Sequence, residues 1–291
     1  MLERDRRTGR GTLAALVTVL VTVLALTGCT VGSAMDPHSE HSGDAPAGGD
    51  WSLPPAGATP DYQLGGAYEP AAEVGIVGRD RSADPAADAY SICYVNGFQT
   101  QPGELGSWDA DLLLQHDGAT VFDPDWPDEA LLDTSTADRR ERIAAQIIPW
   151  IEGCADDGFA AVEFDNLDSY TRSDDTLSLD DNLALATLFV DAAHGAGLAA
   201  GQKNAAEDAA ALRDRAGFDF AVTEECAVFE ECDVYTAVYG AHVIDIEYSD
   251  ELPRSFAEMC ADAESPASMV LRDRDLVTPD NPAYVFETCG A

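Results

Sequence analysis

The chain has 291 residues, 54 of them Asp or Glu against 16 Lys or Arg, for a formal net charge of −38. So acidic a body repels nucleic acid and anionic polymers and attracts cations, which excludes nucleic acid as a partner and fits a polycationic one. Adaptation to salt, or simple solubility, would produce the same figure, so charge alone names no reaction.

The amino end, residues 1–28, has the pattern of an export leader: the basic MLERDRRTGR, then the apolar GTLAALVTVLVTVLALTGC. Leu26–Cys29 (LTGC) resembles a bacterial lipobox, with cleavage before Cys29 and a diacylglycerol on its thiol. The apolar run also approaches spanning length, so an uncleaved anchor is the other reading. Either way the body is expected outside the cytoplasm, held at a membrane by its anchor only, and as a monomer. Residues 29–60, rich in Gly, Ala, Pro, Ser and Asp, read as a disordered linker. Residues 61–291 have globular composition, and about 230 residues suit one α/β barrel better than two small domains.

Six cysteines remain once Cys29 is lipidated, an even number that suggests disulfides outside the cytoplasm. Cys226 with Cys232 would close a tight loop, and Cys260 with Cys289 would staple the carboxyl end. Cys93 and Cys154 are left, on a strand and a helix that could pack together. No CxxC spacing speaks for a thiolate metal site.

Candidate strands follow as Tyr62–Leu64, Val74–Val77, Tyr90–Val95, Ala160–Phe164, Ala199–Gln202, Phe218–Thr223, Val243–Glu247 and Ser268–Leu271. Candidate helices are Ala137–Ala155, Leu183–Ala196, Ala206–Arg215, Asp233–Tyr239 and Ser255–Ala263. Eight strands with mostly helical crossovers predict a single (β/α)8 TIM barrel, and no glycine-rich phosphate fingerprint supports an open doubly wound sheet. Chemistry-bearing residues recur at the strand ends: Asn96, Asp165, Lys203 with Asn204, Glu224, and Glu247 with Tyr248. In a barrel these converge on the carboxyl face.

The stretch AAVEFDNLDSY (Ala160–Tyr170) concentrates the signal. On a strand Ala161, Glu163 and Asp165 share one face. Two carboxylates closing a run apolar enough to be buried are costly to desolvate unless they are used. In the long connection between residues 97 and 133, Trp108 and Trp126 stand beside acids; each could be a sugar platform or the pin of a satellite core.

Taken in order, DGFAAVEFDNLDSY, AGQKN, FDFAVTEECAVFEECD, DIEY and the earlier DWPDEALLD resemble the motifs of the endo-α-1,4-polygalactosaminidase family of glycoside hydrolases, family 114. The resemblance covers roughly Gln63 to Cys289. Departures are Leu131 where the family has an aromatic, Thr223 for an Asn, and Gln202 for a Leu. The resemblance implies a TIM barrel cleaving α-1,4 linkages within galactosamine polymers, a cationic amino-sugar substrate, and no cofactor or metal. It also implies Asp165 as nucleophile or base and Glu224 as general acid/base. Substrate contacts are expected from Tyr94, Trp126, Asp133, Glu163, Asn166, Asp168, Tyr170, Lys203, Asn204, Glu247 and Tyr248. Lys203 is expected to keep Asp165 ionised, and burial or Glu247 to keep Glu224 protonated.

Two other readings use the same residues. Glu163, Asp165 and Asp168 could be oxygen ligands of a hard cation in a metal-dependent phosphodiesterase. A barrel without turnover could be a lipoprotein that binds amino-sugar polymer. No zinc-type histidine spacing and no nucleophile-elbow serine is present.

Overall fold

The computed structural model describes residues 51–290; the leader and Cys29 lie outside the described residues. Among the described residues, eleven strands and five α-helices follow one another. They are β1 (Thr59–Tyr62), β2 (Val74–Asp80), β3 (Tyr90–Asn96), β4 (Gln115–His116), β5 (Ala119–Thr120), α1 (Ala137–Asp157), β6 (Ala161–Asp165) and α2 (Leu179–Gly195). Then come β7 (Ala199–Lys203), α3 (Ala209–Ala211), β8 (Phe220–Glu224), α4 (Cys232–Tyr239), β9 (Val243–Tyr248), α5 (Phe256–Cys260), β10 (Ser268–Arg272) and β11 (Phe286–Thr288).

The main sheet runs β1-β2-β3-β6-β7-β8-β9-β10-β11. All of its pairings are parallel except β10 with β11. It curls into the nearly closed barrel expected from the sequence. Arg272, fully buried at the end of β10, bridges the seam: Nη1 pairs with Asp61 at 2.8 Å and donates to the Tyr62 carbonyl on β1.

Strand alternation divides the apolar residues into two cores. Ile76, Ile92, Ala161, Ala199, Phe220, Val222, Ile244, Ile246 and Val270 fill the barrel interior. Val95, Val162, Phe164, Ala200, Ala221 and Met269 face the helices, where Ile143, Ile147, Phe189 and Leu212 meet them. The interior is tight enough to demand glycine. A Cβ on Gly78 would lie 2.5 Å from the Tyr62 ring, and one on Gly201 2.5 Å from the Phe220 ring.

Several boundaries differ from expectation. β1 ends at Tyr62, where it was expected to begin, because Gln63 turns its side chain to Asp61 and Arg79. α2 starts four residues early on the Ser178–Asp181 capping box. The third expected helix breaks into a 3-10 turn, one α-helical turn and a π-helical turn at Leu212–Ala216. The linker was expected to run to residue 60. Within it, however, Trp51 stacks on His194 at 3.8 Å, His242 binds the Pro54 carbonyl, and β1 already begins at Thr59. The β4–β5 hairpin and β11 had no clear apolar pattern and were not foreseen.

All three disulfides join the expected partners: Cys93–Cys154, Cys226–Cys232 and Cys260–Cys289. The first ties β3 to α1, the second clamps the loop after β8, and the third fastens the carboxyl end to α5. Among the described residues no helix is long and apolar enough to cross a membrane.

Candidate active site

The carboxyl ends of β3, β6, β7, β8 and β9 bring Asn96, Asp165, Lys203, Glu224 and Tyr248 together. After three of these strands the backbone turns at once through left-handed residues, Asn166 (φ 63), Asn204 (φ 58) with Ala205 (φ 63), and Glu225 (φ 61). Such conformations are uncommon outside glycine and gather at functional sites. Here they swing the chain outward and leave the last strand side chain aimed along the barrel mouth.

Lys203 is the centre of the constellation. Its ammonium, 2% exposed, is 3.2 Å from Asp165 Oδ2 and 2.8 Å from Glu224 Oε2. Tyr94 donates to the same Asp165 oxygen at 2.9 Å, and the Asn166 amide donates to Oδ1 at 2.8 Å. Glu224 accepts from Asn204 Nδ2 at 3.0 Å and from the Tyr248 hydroxyl. Asn204 Oδ1 in turn accepts from the Glu224 backbone amide at 2.9 Å.

These contacts set the protonation states. Burial pushes the Glu224 carboxyl up, but the Lys203 charge and hydrogen bonds from Lys203, Tyr248 and Asn204 outweigh it and hold the group at about 2. Burial pulls the Lys203 ammonium down, and Asp165, Glu224 and Glu163 more than reverse that. Burial, then the neighbouring carboxylates, keep Tyr94 and Tyr248 protonated as donors.

The residues surround a cleft of about 590 Å³, with Tyr94, Trp126, Asp165, Asn166, Lys203, Asn204, Glu224 and Tyr248 in its walls. Trp126, 59% exposed, stands between it and a second recess of about 180 Å³ lined by Asp123, Asp125, Asp168 and Arg172. Trp108 is instead a core residue, 6% exposed and edge-on to Trp150, so only Trp126 of the pair faces the cleft.

Four expected contact residues lie elsewhere. Asp133 is occupied by Ser135 and Arg139 at the start of α1. The Tyr170 hydroxyl donates to Asp208 at 2.8 Å. Glu163 points into the barrel interior with no exposed surface. Glu247 faces the helix layer, accepting from the Ala227 amide at 2.8 Å, so it is not the neighbour that acts on Glu224. Its strand partner across from Glu224 is Ile246, and the two-residue alternation sends the next side chain away. Asp168 lines the outer recess, tied to Arg172 at 2.9 Å. Glu163, Asp165 and Asp168 therefore do not converge as cation ligands; the one group of that kind among the described residues is the Cys226–Cys232 disulfide with Asp245.

Other cleft residues escaped the sequence reading. Asp80 ends β2 three residues beyond the expected strand, and Arg274 and Asp275 follow β10. Glu129 sits inside the DWPDEALLD motif yet was not singled out. A turn anchored on Asp123 carries both Trp126 and Glu129: Asp123 accepts from the amides of Asp125 and Trp126 and pairs with Arg172 at 2.8 Å. Glu129 Oε2 accepts from Asn96 at 2.9 Å, and burial, with Asp165 nearby and Asn96 opposing, raises its carboxyl to about 7. One signal for the centre was available: Lys203 is the only lysine in the chain.

Paired acids on separate strands at the carboxyl face of a (β/α)8 barrel, beside an exposed tryptophan, are the equipment of a glycoside hydrolase. The family model for the glycoside-hydrolase family GH114 matches residues 42–291, and the chain belongs to that family. Aspergillus fumigatus Ega3, solved in complex with galactosamine, is similar in fold, with a TM-score of 0.65 and 21% identity, covering 83% of this chain and 100% of that one. The glycoside hydrolase domain of PelA from Pseudomonas aeruginosa has a TM-score of 0.54 and 13% identity, covering 78% of this chain and 98% of its own. A search of curated proteins finds no match.

Proposed function

We propose that this glycoside hydrolase cuts α-1,4-linked galactosamine polymers internally, outside the cytoplasm, anchored through a lipid on Cys29. The observation that carries the reading is the single ammonium shared by two carboxylates from different strands. Its legs of 3.2 and 2.8 Å put the bridged oxygens at most about 6 Å apart, which supports the ~5–5.5 Å spacing of a retaining enzyme over the ~6.5–9.5 Å of an inverting one.

Asp165 attacks the anomeric carbon while Glu224 gives its proton to the departing glycosidic oxygen; water then displaces Asp165 as Glu224 takes a proton back. Lys203 couples the two halves. A sugar entering the cleft leaves the ammonium on Asp165, and Glu224, losing its strongest stabiliser, takes up a proton. Once Asp165 is esterified and uncharged, Lys203 returns to Glu224 and favours the carboxylate that acts as base.

The walls of the cleft support the substrate class. Asp80, Glu129, Glu225 and Asp275 join the catalytic pair there, in a chain of net charge −38, and favour a polymer of cationic sugars. An open cleft that continues past Trp126 into a second recess suits a chain bound across several sugars. The three disulfides fit an oxidising compartment.

The test is to incubate the soluble body, Asp165→Asn and Glu224→Gln with partly deacetylated galactosaminogalactan. The wild type should release oligosaccharides with retained anomeric configuration, and both folded variants none. Turnover by either variant, or tight oligogalactosamine binding by the wild type without new reducing ends, would overturn the reading.

A further inference from the structure

Glu163 has no place in that scheme, yet it is the most unusual group beneath it. On β6 it points inward two residues before Asp165, so it lies one layer lower on the same face of the barrel, opposite Tyr94 of β3 and Gly201 of β7. It has no exposed surface, neither of its oxygens has a hydrogen-bond partner, and the hydroxyl of nearby Tyr62 is also unpartnered. A buried carboxylate so poorly satisfied costs several kcal/mol as an ion. The fold nevertheless keeps room for it: Gly78 on β2 brings bare backbone to its side, where a Cβ would sit 3.6 Å from Oε1.

We infer that Glu163 is a positioning residue: uncharged, it leaves Lys203 to bridge Asp165 and Glu224, and ionised, it draws the ammonium down out of that bridge. The inference rests on the two-carboxylate reading of the site. The groups that face Glu163 are Tyr62 from β1, Tyr94 paired with it on β3, Asp165 from its own strand, Lys203 from β7 and Glu224 from β8. Among them Lys203 is the one cation. Burial pushes the Glu163 carboxyl up to about 8; Lys203 opposes this, as does the nearby Tyr62 hydroxyl, while Asp165 and Glu224 add to it. Below that the ammonium answers only to the catalytic pair. Above it a third anion pulls from beneath, and the longer contact, the 3.2 Å one to Asp165, is the first to open. The alkaline limit of the enzyme would then be set by a residue that never touches sugar.

The experiment compares kcat/KM across pH for the wild type and Glu163→Gln. At pH 9 roughly nine-tenths of a group titrating near 8 is ionised, so wild-type kcat/KM should fall about tenfold from its neutral value. Glu163→Gln should lose most of that fall while its acid limb keeps its midpoint. Superimposable alkaline limbs would overturn the inference, and so would a folded variant inactive at every pH, because the charge itself would then be required. Infrared difference spectra between pH 6 and pH 9 should show a buried carboxylic-acid band that the wild type loses with the midpoint of the activity and that Glu163→Gln lacks; difference spectra identical in the two proteins overturn the inference. Asp165→Asn and Glu224→Gln keep the two failures apart: if they are inactive while the limbs coincide, only the role of Glu163 falls.

Discussion

Replacing Lys203 with methionine keeps the length of the side chain and removes the charge that the Asp165 and Glu224 carboxylates share. The cost follows from Glu224. Its carboxyl moves from an ordinary 4.5 to about 2 in the fold, and a shift of that size is worth about 3 kcal/mol once both states are ionised. The sign is that of a depressed acid: the contribution is fully present above 4.5 and is lost as pH falls through about 2. The Glu224 side chain is 27% exposed, so solvent screening makes the figure an upper bound for this pair alone. Asp165 also loses its partner, and breaking a buried charge network costs ~3–5 kcal/mol. Lys203→Met should therefore lose about 3 kcal/mol at pH 7 and about half as much at pH 3, read as urea midpoints at constant m. Lys203→Arg, which restores charge but not shape, should recover part of the stability and little of the activity. A variant within 1 kcal/mol of wild type at pH 7, or one whose loss is the same at pH 3, would refute the idea that one ammonium neutralises both acids.

Glu129 shares a rigid turn with Trp126 and carries a carboxyl raised to about 7, so its pairing with a substrate ammonium should strengthen as pH rises through that value. The ratio of KM for the free-amine polymer between Glu129→Gln and the wild type should change with pH through this range; parallel profiles would remove Glu129 from substrate recognition. The Cys93–Cys154 bridge spans 61 residues, and replacing both cysteines with serine should cost roughly 4 kcal/mol on the loop-entropy scale, against roughly 2 kcal/mol for the 6-residue Cys226–Cys232 span. Denaturant midpoints ordered the other way would contradict the chain-entropy account.

Much of this architecture was legible because buried parallel strands leave continuous apolar runs and crossover helices leave stripes. β3, β6, β7, β8, β9 and β10 were each anticipated within one or two residues. Polar residues ending those runs marked the cleft, since the barrel gathers strand ends on one face. The misreadings come from facing and from loops. Glu163 and Glu247 each sit within a strand that reaches the site, but alternation sends the first below the cleft and the second to the helices. Asp133 and Tyr170 stand near the right motifs, yet side-chain partners that no periodicity announces, Arg139 and Asp208, already hold them. Glu129 reaches the cleft through a turn whose geometry depends on Asp123 and Arg172, 49 residues apart in the chain.

That the only lysine of the chain stands at this point has a physical reason. Arginine supplies the other 15 basic side chains, and on the surface it pairs well with acids, as Arg142 does with Asp109 and Asp111. A guanidinium is a planar fork suited to gripping one carboxylate with two hydrogen bonds. Between Asp165 and Glu224 the need is different: one compact charge touches a single oxygen of each acid and, in the proposed mechanism, moves between them as their charges alternate. An ammonium on a flexible stem can do that, with Nζ 5.8 Å from the centroids of both the Tyr62 and Tyr94 rings. A fork would commit to one partner and project into the space the sugar must occupy. The acidity of the whole chain then works with this choice, because it leaves the cleft negative toward the cationic polymer proposed as substrate while the Lys203 ammonium keeps Asp165 and Glu224 from repelling each other.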